Sequence, residues 1–325
     1  MEFVCPSCKG PLGHSSDAYR CGPCAKVYPV VCGIPDFRLS PDPYIGIQDD
    51  RAKGMHLWEA AQSRNFRQLI EYYYSITKDN PPALAKFWIA RTFSEVLLAR
   101  CVLKQSLLWS EVDRAKLLDI GCSTGAMLLA ARGARELVGV DVAFRWLVMG
   151  KARLRDEGLS ASLVCANAEA LPFADGCFDL VTAHDLIEHL RRPGQAVSEA
   201  SRVSRSGARA LWATNNRYAP LPEPHVRFWG VGYLPRRWQP RYVAWRRKDL
   251  QPYAIRLRSA RELKRLFQRE EYSKICIGSA PLVAPHWENS LVNRLLDFYN
   301  QLRDVPFIRA LAKLAGPRLW VRTWR

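Results

Sequence analysis

The segment from Leu117 to Phe144, LLDIGCSTGAMLLAARGARELVGVDVAF, places a serine and several glycines at a spacing that allows two chemistries. Gly121, Ser123 and Gly125 fit the G-x-S-x-G turn that presents a nucleophilic serine. The same residues also fit a degenerate glycine-rich loop that holds a nucleotide cofactor. Asp141 follows Gly121 by twenty residues, where an acid hydrogen-bonds ribose hydroxyls in cofactor-binding folds. A nucleophile turn has no need of that acid, so Asp141 favours the cofactor loop.

Four cysteines near the start of the chain have the spacing of metal ligands. Cys5-x2-Cys8 and Cys21-x2-Cys24 are separated by twelve residues. Each C-x-x-C turn directs two thiolates at one point, and two such turns complete a tetrahedron around zinc. The set leaves no open position, so we predict a structural zinc site. The other cysteines are interpreted as small buried hydrophobic residues.

Alternating strands and helices position the loop and its acid. We predict a mostly parallel, Rossmann-like α/β sheet with helices on both faces, plus an N-terminal zinc ribbon and helical additions. The predicted strands are Lys116–Ile120, Leu137–Val140, Ser162–Cys165, Phe178–Ala183 and Ala208–Thr214; the predicted helices lie near Ala126–Arg132, Trp146–Asp156 and Gly194–Val203. The predicted regions are 1–38 (ribbon), 39–112 (helical linker or lid), 113–280 (α/β domain with a substrate loop at 217–250) and 281–325 (basic helices).

The run DIGCSTG, Asp119 to Gly125, resembles motif I of the class I S-adenosylmethionine-dependent methyltransferases, with Ser123 in place of the middle glycine. The similarity continues through VGVD, CANAEALPFADGCFDLVTAHDLIEHL and AVSEASRVSRSGARALWATNNR. It implies that Asp141 binds ribose and that Asn167, at the place of an adenine-contacting acid, accepts from the adenine amino group. The implied cofactor-binding residues are Asp119, Gly121, Ser123, Gly125, Asp141, Val142, Asn167, Ala168 and His184. Ser123 is therefore expected to be a loop residue.

The N-terminal segment resembles a second family, the zinc ribbons that activate tRNA and protein methyltransferases. The matching residues are Cys5-Pro6, Gly10, Leu12, Cys21, Cys24, Tyr28-Pro29-Val30 and Gly33-Ile34-Pro35. In that family the ribbon is usually a separate partner protein, whereas here it is fused to the α/β domain. We expect it to dock on that domain.

Methyl transfer needs alignment of the acceptor and removal of its proton, so catalytic side chains should follow the fourth strand. There AHDLIEHL offers Asp185, Glu188 and His189, predicted to share one helical turn, and His225 lies after the fifth strand. His189 has a pKa suited to a general base. The set is also similar to the Glu-x-x-Glu-His metal ligands of small-RNA 3′-end and ubiquinone-pathway methyltransferases, which implies a second divalent metal as an alternative.

The charge of the chain is +17 and concentrated toward its end, with 21 Lys/Arg against 7 Asp/Glu from Val226 to Arg325. A basic, tryptophan-rich third favours an anionic partner or a solvated basic surface. Arg227, Arg236 and Arg237 in the substrate loop are expected to meet an anionic group. Residues 304–325 are typical of a basic amphipathic helix at a membrane surface, or of a helix packed on the domain.

These residues lead to three functional hypotheses. The favoured one is O-methylation of a small-molecule, glycan or lipid-linked acceptor. The alternatives are an RNA (rRNA or tRNA) methyltransferase and a non-catalytic zinc-ribbon adaptor. The sequence shows no apolar run near the ~20 residues of a membrane span and no secretory signal, so we expect a cytoplasmic protein, peripheral to the membrane if the tail binds lipid.

Overall fold

A computed structural model describes residues 2–77, 82–106, 108–246, 253–282 and 290–325. The described chain contains a small N-terminal sheet, a group of helices and a large mixed sheet. The small sheet is antiparallel, in the order β1-β2-β3-β4. Its strands are β1 (Leu12–His14), β2 (Ala18–Cys21), β3 (Val27–Val31) and β4 (Ile34–Pro35).

Helices follow the small sheet, as the sequence predicts. They are α1 (Ile47–Ala60), α2 (Phe66–Ile76), α3 (Pro82–Gln105) and α4 (Trp109–Val112). Asn65 begins α2 with a capping box, in which its side chain accepts from the backbone of Gln68 and the Gln68 side chain accepts from the backbone of Asn65. Such reciprocal bonds satisfy N–H groups that the helix itself leaves unpaired. Residues 78–81, between α2 and α3, lie outside the described residues.

The large sheet confirms the predicted Rossmann-like α/β fold. Its strand order is β10-β11-β9-β8-β5-β6-β7. The strands are β5 (Lys116–Ile120), β6 (Glu136–Asp141), β7 (Ser162–Cys165), β8 (Phe178–His184), β9 (Ser204–Asn215), β10 (Lys274–Ser279) and β11 (Arg318–Trp324). β5 pairs in parallel with both β6 and β8. The strand order therefore reverses at β5, and ligands of doubly wound sheets bind beside the strand ends at this switch point.

Helices connect the strands of the large sheet. They are α5 (Ala126–Ala130), α6 (Phe144–Asp156), α7 (Pro193–Val203), α8 (Gln239–Arg246), α9 (Ala260–Phe267), α10 (Ser290–Leu302) and α11 (Pro306–Ala315). The three helices that the sequence predicts in this region are α5, α6 and α7, with ends shifted by up to two residues. α8 and a short 3-10 turn, Val231–Tyr233, belong to the predicted substrate loop, of which residues 247–250 lie outside the described part.

The end of the chain differs from the expected basic helices. α11 is a helix, but Arg318–Trp324 forms β11, which runs antiparallel to β9 on one side and β10 on the other. Leu319, Trp320 and Val321 are buried in the sheet. Residues 318–324 therefore belong to the α/β core, and they are not available for an amphipathic membrane helix.

The N-terminal sheet packs on the large sheet, which confirms the expected docking. The backbone N–H of Val4 donates to the Pro172 carbonyl at 3.0 Å, and that of Phe37 donates to the Cys165 carbonyl at 2.7 Å. Phe37 is fully buried in the same cluster as residues of β5, β6 and β8. Within the described residues, no helix is both long enough and apolar enough to cross a membrane.

Candidate active site and cysteine cluster

The loop after β5 has a backbone that only certain residues adopt easily. Gly121 and Gly125 have φ angles of 77° and 78°, in the left-handed region where glycine has no Cβ penalty. A Cβ on Gly121 would also lie 3.1 Å from Leu186 Cδ1. Ser123 has a φ of 48°, and its backbone N–H donates to Asp141 Oδ2 at 2.8 Å. The loop is thus tied to the acid at the end of β6, as a cofactor loop requires.

Two carboxylates lie at the ends of adjacent strands beside this loop. Burial raises the pKa of Asp119 to about 7, although Thr182 donates its hydroxyl to this carboxylate at 2.8 Å. Burial also raises the pKa of Asp141 to about 6, while hydrogen bonds from the backbone of Ala143 and Ser123 act in the opposite direction. Ionised carboxylates with a pKa raised in this way are stabilised by a cationic or hydrogen-bonding ligand.

A cavity of about 530 Å³ opens at the carboxyl ends of β5, β6 and β8. Its volume lies in the range of small-molecule and cofactor pockets. Eight of the nine predicted cofactor residues line it: Asp119, Gly121, Ser123, Asp141, Val142, Asn167, Ala168 and His184. Gly125 instead caps α5, where its carbonyl accepts from Leu129 N. α2 and α3 add Tyr74, Trp88 and Arg91, so the predicted helical region covers one side of the cavity.

His184 ends β8 with an unused polar atom. Burial lowers the pKa of His184 to about 4, and the nearby Arg318 lowers it further, so the ring is neutral. Its Nε2 is buried and has no hydrogen-bond partner among the described residues. Because buried polar groups are nearly always paired, this atom is available to a ligand in the cavity.

Asp185 is held by two arginines and differs from its predicted role. It accepts from Arg318 at 2.7 and 3.1 Å and from Arg91 at 2.9 Å. Burial raises the pKa of Asp185, but Arg318 and Arg91 outweigh that effect and lower it to about 2. Residues 187–189 form a turn, and Asp185 is a bend with a φ of 48°. The predicted helical turn is therefore wrong, and Asp185 is bound to cations rather than free to serve as base or metal ligand.

A carboxylate that the sequence reasoning missed orients His225. Glu223 Oε1 lies 2.6 Å from His225 Nδ1, and Glu223 Oε2 accepts from the backbone N–H groups of His225 and Val226. Burial lowers the pKa of His225, but the Glu223 hydrogen bond and charge outweigh it and raise the pKa above its ordinary value. The sequence signal for this contact was the segment Glu223-Pro224-His225, in which an acid two residues before a histidine can reach its imidazole ring.

His189 and Glu188 adjoin this pair. The rings of His189 and His225 have centroids 5.0 Å apart. Burial lowers the pKa of His189 to about 4, and the charge of His225 acts in the same direction. Glu188 is fully buried, and its Oε2 accepts from Thr214 at 2.9 Å. One ligand atom each of Glu188, His189 and His225 lies within 4.8 Å of the others, so the three are close enough to hold one metal ion.

The basic loop residues do not meet the cavity as expected. Among the described residues that line it, the loop contributes Pro224 and His225, and Arg227, Arg236 and Arg237 are absent. Arg236 instead forms an ion pair with Glu262 at 2.7 Å, and Arg227 stacks on the Phe87 ring at 4.7 Å. The cations at the cavity wall come from other elements: Arg91, Arg145 and Arg191.

The four N-terminal cysteines come together as their spacing predicts. Cys5 Sγ lies 3.6 Å from Cys24 Sγ, and Cys8 Sγ lies 3.4 Å from Cys21 Sγ. All four sulfurs lie within 4.8 Å of one another, close to the ~3.8 Å edge of a tetrahedron with Zn–S bonds of 2.3 Å. The Tyr28 hydroxyl lies 3.2 Å from Cys5 Sγ, where it can donate to a thiolate. The cluster therefore fits a closed zinc site.

Comparison with known proteins identifies the central part of this fold. Residues 118–212 match the family model described as a methyltransferase domain. This segment includes the loop after β5, both carboxylates and residues 185–189. The match is limited to residues 118–212, so over this part the chain is similar to methyltransferase domains.

Several curated proteins are similar over part of the chain. The biotin biosynthesis bifunctional protein BioHC of Cellvibrio japonicus is 36% identical over 130 residues, which are 38% of this chain and 25% of that protein. A ubiquinone biosynthesis O-methyltransferase of Methylococcus capsulatus is 30% identical over 104 residues, which are 31% of this chain and 44% of that protein. Methyltransferase GfsG of Streptomyces halstedii is 36% identical over 98 residues, which are 29% of this chain and 35% of that protein. The chain thus spans less than half the length of these relatives.

Solved structures are similar over more of the chain at lower identity. The SAM-dependent methyltransferase TM1293 of Thermotoga maritima matches with a TM-score of 0.46 and 16% identity, covering 80% of this chain and 97% of that one. The PH0226 protein of Pyrococcus horikoshii matches with a TM-score of 0.45 and 15% identity, covering 78% and 98%.

Proposed function

We propose that the protein is an S-adenosylmethionine-dependent methyltransferase that methylates a hydroxyl of a small-molecule, glycan or lipid-linked acceptor. One observation carries the proposal: the same cavity is lined by the cofactor loop with Asp141 and by His225, which a buried carboxylate orients. The cavity thus holds both the groups that we propose bind the cofactor and the imidazole that we propose accepts a proton. When bound, S-adenosylmethionine supplies a methyl group on a positively charged sulfur.

The carboxylates of Asp119 and Asp141 suit such a ligand. Asp141 would bind the ribose hydroxyls, and Asp119 would lie toward the cationic methionine end. Burial raises the pKa of both acids, because their ionised forms are poorly solvated in the cavity. A ligand with ammonium and sulfonium groups would stabilise those ionised forms.

His225 is the residue we assign to proton removal. Its Nδ1 is engaged by Glu223, which leaves Nε2 to accept the proton of the acceptor hydroxyl. Removal of that proton by His225 would free an oxygen electron pair of the acceptor for the methyl group that the bound cofactor would supply. His189, whose pKa is about 4, is a much weaker base at neutral pH. We therefore assign His189 to the wall of the cavity beside His225, whereas the sequence suggested it as the general base.

The experiment that tests the proposal starts with cofactor binding. Calorimetry of the full, zinc-loaded chain should show stoichiometric binding of S-adenosylhomocysteine, and absence of binding would overturn the proposal. Methyl-labelled cofactor is then incubated separately with phenols, glycans, lipid-linked sugars and RNA. Label in RNA, with an affinity that falls steeply with salt, would favour the RNA methyltransferase. Cofactor binding without transfer to any acceptor would favour the non-catalytic adaptor.

A divalent metal is an alternative way to activate the acceptor at the same place. Glu188, His189 and His225 could supply its ligands, and the Glu223–His225 bond matches the carboxylate–histidine support of many metal sites. Such a metal would lower the pKa of an acceptor hydroxyl bound to it. Titration of Mn²⁺ into zinc-loaded protein tests this alternative, with His225→Asn as the variant that should lose the binding. No heat of Mn²⁺ binding would leave His225 as a base.

We also propose that Cys5, Cys8, Cys21 and Cys24 hold one structural zinc. Their mutual distances support a tetrahedral site. Cys5→Ser is expected to lose the metal and to unfold the N-terminal sheet, since structural zinc contributes folding energy directly. Metal analysis of fresh, chelator-free protein is the measurement, with Cys177→Ser as the matched control. Less than about half an equivalent in wild type would contradict a structural site.

Contact with a membrane surface is proposed for α11 alone. Phe307, Leu311 and Leu314 share one face of this helix and are 76%, 50% and 63% exposed. Arg309 and Lys313 adjoin them, and each basic residue near an anionic bilayer contributes about 1 kcal/mol. Anionic vesicles should therefore sediment the protein at low salt, and Phe307→Ser with Leu314→Ser should abolish this. A protein that ignores anionic vesicles refutes the contact; the cytoplasmic location stays a prediction.

A further inference from the structure

The chain that leaves the N-terminal sheet continues into the wall of the cavity. Residues 36–44, called here the exit segment, follow β4 and precede α1. Ser40, Pro41, Asp42, Pro43 and Tyr44 all line the cavity. A part of the chain outside the methyltransferase domain therefore encloses the space that the cofactor is proposed to occupy.

Asn167 fastens the exit segment to the end of β7. Its Oδ1 accepts from the backbone N–H of Leu39 at 2.8 Å and of Ser40 at 3.1 Å. Its Nδ2 donates to the Ser40 carbonyl at 3.1 Å and to the Ser40 hydroxyl at 3.0 Å. These four bonds use the two donors and two lone pairs of the amide. Asn167 is thus engaged with the exit segment, which corrects its predicted role as a direct partner of adenine.

Buried ion pairs hold the same segment against the end of β6. The Arg38 side chain is fully buried and lies 2.6 Å from Asp36 and 2.7 Å from Asp50. Arg38 also donates to the Val142 carbonyl at 3.1 Å, one residue after Asp141. Removing one member of a buried pair leaves an uncompensated charge. The position of the exit segment is therefore fixed by interactions with both β6 and α1.

A further ion pair fixes the middle of the exit segment. Asp42 lies 3.0 Å from Arg145, which also pairs with Asp50 at 2.7 Å. Pro41 and Pro43 stand on either side of Asp42, and their rings limit the backbone to few conformations. A wall that is ordered before the ligand arrives loses little entropy when the ligand binds.

We propose that the exit segment is the wall against which the adenine of the cofactor packs, so that cofactor affinity depends on the zinc ribbon. The inference rests on the proposed function, because it takes the ligand to be S-adenosylmethionine. Asp141 places the ribose at the end of β6, and Asn167 and Ala168 at the end of β7 are the next groups along the sheet. The cavity there is closed by Ser40 and its neighbours, whose position follows from β4 of the ribbon.

Hydrogen exchange measured by mass spectrometry on the zinc-loaded full chain tests the inference directly. Binding of S-adenosylhomocysteine should slow exchange in peptides that cover residues 36–44. Peptides of the β1–β2 hairpin, residues 12–21, belong to the same ribbon but lie outside the cavity lining and should not change. If the ligand binds and residues 36–44 exchange as before, the inference fails and the proposed function stands. If the ligand does not bind, the proposed function itself fails.

Two perturbations then measure the coupling. Asn167→Ala removes all four bonds to the exit segment and should raise the Kd of S-adenosylhomocysteine about tenfold, which corresponds to ~1.4 kcal/mol. Asn300→Ala, which removes the two amide bonds between α10 and Leu282 away from the cavity lining, is the matched control and should leave the Kd unchanged. Removal of zinc by a chelator should weaken binding at least as much, and added zinc should restore it. Wild-type affinity in both Asn167→Ala and zinc-free protein would overturn the inference.

Discussion

At the scale of single residues, Ser123 and Asp141 are joined by one hydrogen bond but should differ in importance. Ser123 donates through its backbone N–H, so Ser123→Ala keeps that bond and the loop. Asp141→Ala removes the carboxylate that we expect to accept from the ribose hydroxyls. Loss of hydrogen bonds to a charged group costs about 1.5–3 kcal/mol, so the Kd of S-adenosylhomocysteine should rise at least about tenfold. Calorimetry on both variants checks this, and an equal rise of the Kd in Ser123→Ala would contradict the expected difference between the two residues.

The pair of Glu223 and His225 leads to a prediction about pH. Glu223 raises the pKa of His225 against the effect of burial, so Glu223→Gln should lower that pKa. A general base works only when neutral, and activity therefore rises as pH increases through the pKa of His225. The acidic limb of kcat/KM should move to lower pH in Glu223→Gln, while the plateau falls by about tenfold or more because the base is weaker and less well oriented.

Two variants make the pH experiment decisive. Glu169→Gln, a second carboxylate at the cavity, should leave the profile unchanged. His189→Asn should retain the acidic limb if His225 is the base. A profile that responds to His189→Asn but ignores Glu223→Gln would assign the base to His189, as the sequence alone suggested.

At the scale of elements, Asp185 connects the end of β8 with β11. Its lowered pKa means that the ionised carboxylate stabilises the folded state above pH 3.8, its ordinary pKa, and that this stabilisation is lost as pH falls toward about 2. The shift corresponds to about 2 kcal/mol. Asp185→Asn should lose roughly this amount at pH 7, because Arg318 is then buried without an anion.

Denaturant unfolding at pH 7 and pH 3 measures that effect. The difference in unfolding free energy between wild type and Asp185→Asn should shrink at the lower pH, where the wild-type carboxylate begins to protonate. Asp175→Asn is the control, since Asp175 is 80% exposed in its pair with Arg202 and such pairs contribute little. Equal losses in the two variants would show that the contacts of Asp185 are no stronger than those of a surface pair.

At the scale of the whole molecule, local patterns predicted the elements that carry local signals. β5 and β7 begin and end where alternating composition and flanking turns predict, and Asp141 lies at the end of β6 as expected. β11 was missed because its short apolar run is interrupted by arginines and follows a helical pattern. Its identity as a strand depends on pairing with β9 more than one hundred residues earlier in the chain, which periodicity does not encode.

The candidate site, like the strands, was predictable where its residues carry a local signal. The cofactor loop and the cysteine cluster could be found because their ligating residues follow fixed spacings along the chain. The contacts of Asn167 with the exit segment join residues 127 and 128 positions apart, and Arg318 reaches Asp185 across 133. A single sequence gives no measure of such distant contacts, so these residues were assigned roles that their neighbours now exclude.

The position of β11 between β9 and β10 has a consequence for the folding of the chain during its synthesis on the ribosome. Every other strand of the large sheet is synthesised earlier, yet β10 cannot join the sheet until β11 has emerged to bridge it to β9. Until then the nascent chain exposes an unpaired strand edge, which invites association with other chains. Arg318 arrives with β11 and completes the anchoring of Asp185 at the cavity. The cavity is therefore completed late in synthesis, and a chain interrupted before residue 318 should fail to bind S-adenosylhomocysteine and should need chaperones.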